Sequence, residues 1–267
     1  MPRLWGRWTQ IKLEAIENYI RAFTTVAQRA RVTLYLDLFG GRPQNFARED
    51  LTSFRGSALR AALVTPPFSR IIVSELDASA AAEQATALSA FPGGRATVLV
   101  GDCNVVMPDA LKALPQEFRF APTFALIDQF SAEVQWETLR FLSEYKAPSA
   151  RTKVELMMYF GGSFMVRGLR GPNGRVNQGY ARRLDALYGN ERWRMVLAAG
   201  DDGVLTPSDV QEELANTMRW QLEEELGYND PAALDRQHQR DTNILDAVRY
   251  RSPGRSEDHE SPVRGSG

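Results

Sequence analysis

Four short apolar runs, each closed by an acidic residue, constrain this chain more than any other feature. They are Val32-Thr33-Leu34-Tyr35-Leu36-Asp37, Arg70-Ile71-Ile72-Val73-Ser74-Glu75, Ala96-Thr97-Val98-Leu99-Val100-Gly101-Asp102 and Thr123-Phe124-Ala125-Leu126-Ile127-Asp128. Continuous apolar runs without period-two alternation are what strands need when both faces of their sheet are covered. Helix-compatible segments separate them: Ser57 to Val64, Ala78 to Ala90, Val105 to Leu114, and Trp136 to Tyr145. Lys153 to Phe160 reads as a fifth strand, closed by Gly161-Gly162. Alternation of this kind predicts an α/β fold, a doubly wound and mostly parallel sheet of Rossmann-like type with a helical C-terminal extension. The carboxyl ends of parallel strands share one rim, so Asp37, Glu75, Asp102 and Asp128 should converge there.

Ahead of the sheet, Leu13, Ile16, Ile20, Phe23 and Ala27 recur at helical spacing and predict a packing helix. Beyond it, charge becomes polarised. Residues 145–195 hold ten Lys+Arg against three acids, and residues 201–235 hold ten acids against Arg219 alone. Such blocks are solvated helical faces, faces that pair with each other, or, for the basic block, a contact for nucleic acid. Thr206-Pro207-Ser208-Asp209 carries a capping residue, proline at the first helical position and an acid in the first turn, so a helix should start there and bury Val210, Leu214, Met218 and Leu222. The expected organisation is a packing helix over 1–30, a cofactor-binding domain over 31–165, a charged helical extension over 166–250 and a disordered tail over 251–267, whose only aliphatic residue is Val263.

Composition excludes several chemistries. The single cysteine, Cys103, leaves no intrachain disulfide and no cysteine-built metal or iron–sulfur site, and it reads as an inert small residue behind Asp102. Two histidines, both near the C-terminus, give little material for a Ser/His/Asp hydrolase or a zinc deaminase. A formal charge of −1 argues against a globally basic coat for nucleic acid. No apolar run is long enough to span a membrane, and Met1 to Arg7 lacks the apolar core of a secretory signal, so a soluble, cytoplasmic protein without membrane attachment is expected.

Glycine after the first strand and acids after the next ones suit a nucleoside cofactor. Gly40 and Gly41 let the backbone turn tightly beside a ligand. Glu75 is placed to accept from both ribose hydroxyls, and Asp102 to take the adenine amino group. Asp37 would repel a pyrophosphate but welcome the ammonium of a methionyl moiety, which favours S-adenosylmethionine over a dinucleotide. Strand-terminal acids also serve as helix caps, and Asp77 reads as the cap of the helix from Ala78.

The series resembles the three-Cys-motif partner protein family, which is itself similar to Rossmann-type methyltransferases. The matching residues are Trp8, Lys12 and Tyr19, then Tyr35-Leu36-Asp37-Leu38-Phe39-Gly40-Gly41, Gly56-Ser57-Ala58-Leu59, Pro67-Phe68 and Glu75-Leu76-Asp77. Gly101-Asp102-Cys103-Asn104, Phe124 to Asp128 and Trp136-Glu137-Thr138-Leu139 continue it, with weaker echoes at Leu184 to Gly189, Trp193 and Trp220 to Tyr228. The resemblance implies a methyltransferase-like fold, S-adenosylmethionine as cofactor, and partnership with a radical-SAM-like protein carrying three cysteines. Pro43 stands where such a loop has its second glycine. Gln129 and Ser131 replace the proline and glycine of an Asp-Pro-x-Gly turn, and Gln129 trades that turn's rigidity for an amide able to donate and accept. A C-terminal strand pair beside the sheet, which the family carries, is not evident after Tyr228. Asp128, with Gln129, would face a methyl acceptor on nucleic acid or another substrate. A non-catalytic docking subunit that keeps the fold is the alternative.

Overall fold

The computed structural model describes residues 4–150, 152–169, 176–231 and 247–251. Five parallel strands form the centre: β2 (Leu34–Asp37), β5 (Arg70–Glu75), β6 (Ala96–Val100), β7 (Thr123–Ile127) and β8 (Glu155–Tyr159). They lie in the order β6-β5-β2-β7-β8. The order reverses at β2, so the crevice beside its carboxyl end is the place where open α/β sheets bind ligands.

Side-chain alternation along β2 shows why the apolar runs are continuous. Leu34, Leu36 and Leu38 join one core cluster, with Met107, Leu139, Trp193 and Leu214, while Tyr35 joins the other, with Ile16, Ile20, Phe68 and Phe124. Helix α1 (Arg7–Val26) supplies the second cluster through Leu13, Ile16, Tyr19 and Ile20, and its Phe23 stacks on Phe68. Each such aliphatic side chain contributes about 1.5–3 kcal/mol on burial.

Helices α2 (Ser57–Leu63), α3 (Ala78–Ser89), α4 (Cys103–Lys112) and α5 (Trp136–Glu144) connect the strands. After β8 come α6 (Gly162–Leu169), α7 (Gln178–Tyr188), α8 (Trp193–Asp201) and α9 (Pro207–Glu224). Thr206 caps α9 with a reciprocal capping box to Asp209, and Val210, Leu214, Met218 and Leu222 are buried. The extension packs into the first cluster: the Tyr188 hydroxyl donates to the Leu214 carbonyl at 2.8 Å, and Gln221 Nε2 donates to the Tyr188 carbonyl at 2.9 Å. Charges of the two polarised blocks meet where Arg192 pairs with Glu225 at 2.9 Å, whereas Arg194 turns back to Asp185 at 2.7 Å. Arg151, Arg170 and Arg175 lie outside the described residues.

Two features depart from the expectation. A strand pair does follow Tyr228: β9 (Asn229–Pro231) and β10 (Ala247–Arg251) extend the sheet, with β10 antiparallel to both β8 and β9. Asn229-Asp230-Pro231 has none of the residues that favour strands, so periodicity does not reveal β9, whereas in β10 Val248 and Tyr250 alternate with arginines, and this strand corrects the expected helical extension up to residue 250. Arg251, the first residue of the disordered tail expected over 251–267, therefore ends a strand, and the rest of that tail, 252–267, lies outside the described residues. The second departure is a small sheet of β1 (Leu4–Trp5), β3 (Gln44–Ala47) and β4 (Ser53–Arg55), built where the glycine loop would otherwise continue.

Candidate functional site

The strand ends open into a cleft of about 1070 Å³, ample for a nucleoside ligand. Gly40, Gly41, Glu75, Asp102, Asp128 and Gln129 all line it, so the rim brings these sequence-predicted residues together. Trp5, Gln44 and Phe46 of the small sheet line it too.

The glycine turn is tied on several sides. Gly40 N–H donates to the Ser74 carbonyl at 2.9 Å, and the Gly40 carbonyl accepts from Gln84 Nε2 at 2.9 Å. A Cβ on Gly40 would stand 2.3 Å from Val73 Cγ1, so only glycine fits between this turn and β5. Gly41 sits at φ 59°, and a Cβ there would meet nothing within 4 Å. Its N–H donates to Glu75 Oε2 at 2.7 Å, while Glu75 Oε1 accepts from Asp77 N–H at 2.8 Å. Each carboxylate oxygen keeps further lone-pair capacity for hydroxyl donors.

Asp102 caps α4, its Oδ1 accepting from the backbone and side-chain nitrogens of Asn104 at 2.9 and 2.8 Å. Its Oδ2 has no hydrogen bond among the described residues. Asn104 then fixes the start of α5, because its Oδ1 accepts from Gln135 N–H and Thr138 Oγ1, both at 2.8 Å. Asp77 caps α3 through Ala80 N–H at 2.7 Å. Cys103 is buried, and desolvation, reinforced by Asp102, pushes its thiol up to about 12, which keeps it neutral and inert.

Asp37 corrects the expectation of direct ligand contact. It does not line the cleft, and it is fully buried beneath it. Period-two alternation places it on the face of Tyr35, whose hydroxyl donates to Oδ2 at 3.2 Å. Ser57 Oγ donates to the same oxygen at 2.6 Å, and Phe39 N–H donates to Oδ1 at 3.2 Å. Burial outweighs these donors and raises the carboxyl to about 6. At neutral pH it is largely ionised.

That shift has a sign. A carboxyl raised in the folded state binds its proton more tightly there than in the unfolded chain. Its stabilising contribution is full below about pH 4, is lost as pH rises through about 6, and amounts to roughly 3 kcal/mol at most. Denaturant titrations of wild type and Asp37→Asn, which cannot ionise, should therefore show the wild type losing ground to the variant between pH 4 and 7. A difference that stays constant over that range contradicts the assignment.

At the far end of the cleft, Asp128 Oδ1 accepts from Lys12 Nζ of α1 at 2.6 Å, the side chains being 17 % and 18 % exposed. The same ammonium stands 4.8 Å over the Tyr159 ring at the end of β8. A pair 116 residues apart leaves no local trace, although Trp8 and Lys12 share a helix face four residues apart. Gln129 is buried, and its Oε1 accepts from Glu133 and Val134 N–H at 3.0 and 3.1 Å, so the turn after Asp128 is stitched by a side chain in place of the proline. Its Nε2 has no partner among the described residues. Among those residues there is also no group of three His, Cys, Asp or Glu side chains placed to hold a metal, and no helix long and apolar enough to cross a membrane.

No family model matches the chain, and no curated protein does. Solved structures resemble it distantly. A DUF574 family protein from Streptomyces avermitilis is 16 % identical, with 90 % of this chain and 81 % of that one covered and a TM-score of 0.42. The methyltransferase domain of bacterial CtHen1 is 10 % identical, with 91 % and 99 % covered and a TM-score of 0.40. Trm1 from Pyrococcus horikoshii, solved with S-adenosyl-L-methionine, is 14 % identical, with 67 % and 48 % covered and a TM-score of 0.35. The α/β assignment itself rests on the strand order and directions.

Proposed function

We propose that the chain is an S-adenosylmethionine-dependent methyltransferase. The observation that carries this reading is one cleft lined by the Gly40-Gly41 turn, Glu75, Asp102 and, at its other end, a carboxylate on Asp128. Glu75 would take the ribose hydroxyls with the lone pairs its backbone donors leave, and Asp102 Oδ2 the adenine amino group. Gly41, open to the cleft, lets the backbone approach the methionyl part. The bound cofactor supplies a sulfonium methyl that is intrinsically ready to transfer, so the protein has to align an acceptor and handle one proton. The reading includes a partner bearing three cysteines that presents the acceptor, nucleic acid among the candidates.

A second reading, a docking platform that keeps the cofactor site without transfer, is favoured by one observation: Asp128 is already engaged by Lys12. Calorimetric titration decides the cofactor question. S-adenosylmethionine and its demethylated product should bind with one site per chain while NAD does not. Silence with both sulfur nucleosides, or preference for NAD, overturns the proposal.

A further inference from the structure

The chain's own ammonium marks a place for an amine. Lys12 Nζ is held by Asp128 Oδ1 at 2.6 Å and by the face of Tyr159 at 4.8 Å, the combination of a carboxylate and an electron-rich ring that selects nitrogen cations and N–H donors. Trp8, one turn before Lys12, and Phe130, half exposed just after Asp128, add aromatic walls to the same cleft. Asp128 Oδ2 has no hydrogen bond among the described residues, so the carboxylate keeps an acceptor oxygen after Lys12 has taken the other.

We infer that the methyl acceptor is an amine, alkyl or exocyclic on a flat ring, that binds where the Lys12 ammonium now sits. This rests on the methyltransferase reading. The carboxylate repels anionic acceptors, and the aromatic walls suit a flat or cationic group. The amine gives one proton to Asp128 and from there to water. Its lone pair bonds the methyl carbon as the carbon–sulfur bond breaks, with the bonding pair staying on sulfur. For an alkylammonium the proton leaves before attack; for a neutral exocyclic amine it leaves the methylated product. Either way one proton is released and the donor ends as a neutral thioether.

Lys12→Ala empties the place while keeping a good helix former, and n-butylammonium is the probe. Calorimetry without cofactor should show the probe binding at least tenfold more tightly to Lys12→Ala than to wild type, where it must displace the Lys12 side chain from Asp128, and not at all to Lys12→Ala/Asp128→Asn. Circular dichroism checks that the variants are folded; should Lys12→Ala fail to fold, Lys12→Ser takes its place. With S-adenosylmethionine present, mass spectrometry should find N-methylbutylamine with Lys12→Ala and none above background with the double variant. No probe binding to a folded Lys12→Ala overturns the inference, and so does probe and cofactor binding without methylated product. Probe binding with no cofactor binding fells the methyltransferase reading, and the acceptor assignment with it, leaving an amine site alone.

Discussion

Glu75→Ala is expected to weaken the proposed S-adenosylmethionine binding by about 1.5–3 kcal/mol, roughly ten- to a hundredfold in Kd, towards the upper end. The wild-type carboxylate has two tasks. It would accept from the ribose hydroxyls, and it already holds Gly41 N–H at 2.7 Å and Asp77 N–H at 2.8 Å. Truncation removes the ligand's acceptor and unties the glycine turn that the ligand must approach. Glu75→Gln keeps one carbonyl oxygen and the side-chain volume, so its loss should be smaller than that of the alanine variant. Calorimetry on the three proteins gives this order. Equal affinities would mean that the ligand does not lie along the end of β5.

How much of the fold is legible in the sequence follows the range of the interactions. The five parallel strands are legible because burial on both faces demands unbroken apolar runs, and the acids at their ends mark where the chain leaves the sheet. The caps Asp77 and Thr206 are legible because a cap acts within three residues. Asp37 shows the limit of that legibility. Its position at a strand end is readable, but a shift of one residue in alternation decides between cleft and core, and Tyr35 and Ser57 hold it beneath the cleft. The hairpin of β3 and β4 is hidden by its short strands, which are mostly polar and only partly buried, and by a turn that places Leu51 at φ 60° with no glycine. Lys12 is named in the sequence only through the resemblance, and its pairing is the most consequential feature left unread, since nothing near residue 12 announces a partner at residue 128. Gln129 is readable as an amide in place of a proline, but its service to Glu133 and Val134 N–H depends on a loop path that only the fold defines.

Asp128 separates an enzyme from a platform. It sits at the end of β7 with Oδ1 fixed by Lys12, so its carboxylate is oriented without help from a substrate. A positioned proton acceptor contributes about 10²–10⁴ in rate, and Asp128→Ala should cost at least the lower figure. Cofactor affinity should be unchanged, because the proposed nucleoside contacts are made by Glu75 and Asp102. The decisive measurement is methyl transfer from labelled S-adenosylmethionine to nucleic acid and to protein extract, for wild type and Asp128→Ala, with and without a cluster-bearing partner. Transfer by the wild type that falls about a hundredfold or more in Asp128→Ala, at undiminished cofactor binding, is the predicted result. Transfer that survives Asp128→Ala intact, or wild-type protein that binds the cofactor and transfers to nothing under any condition, would contradict it.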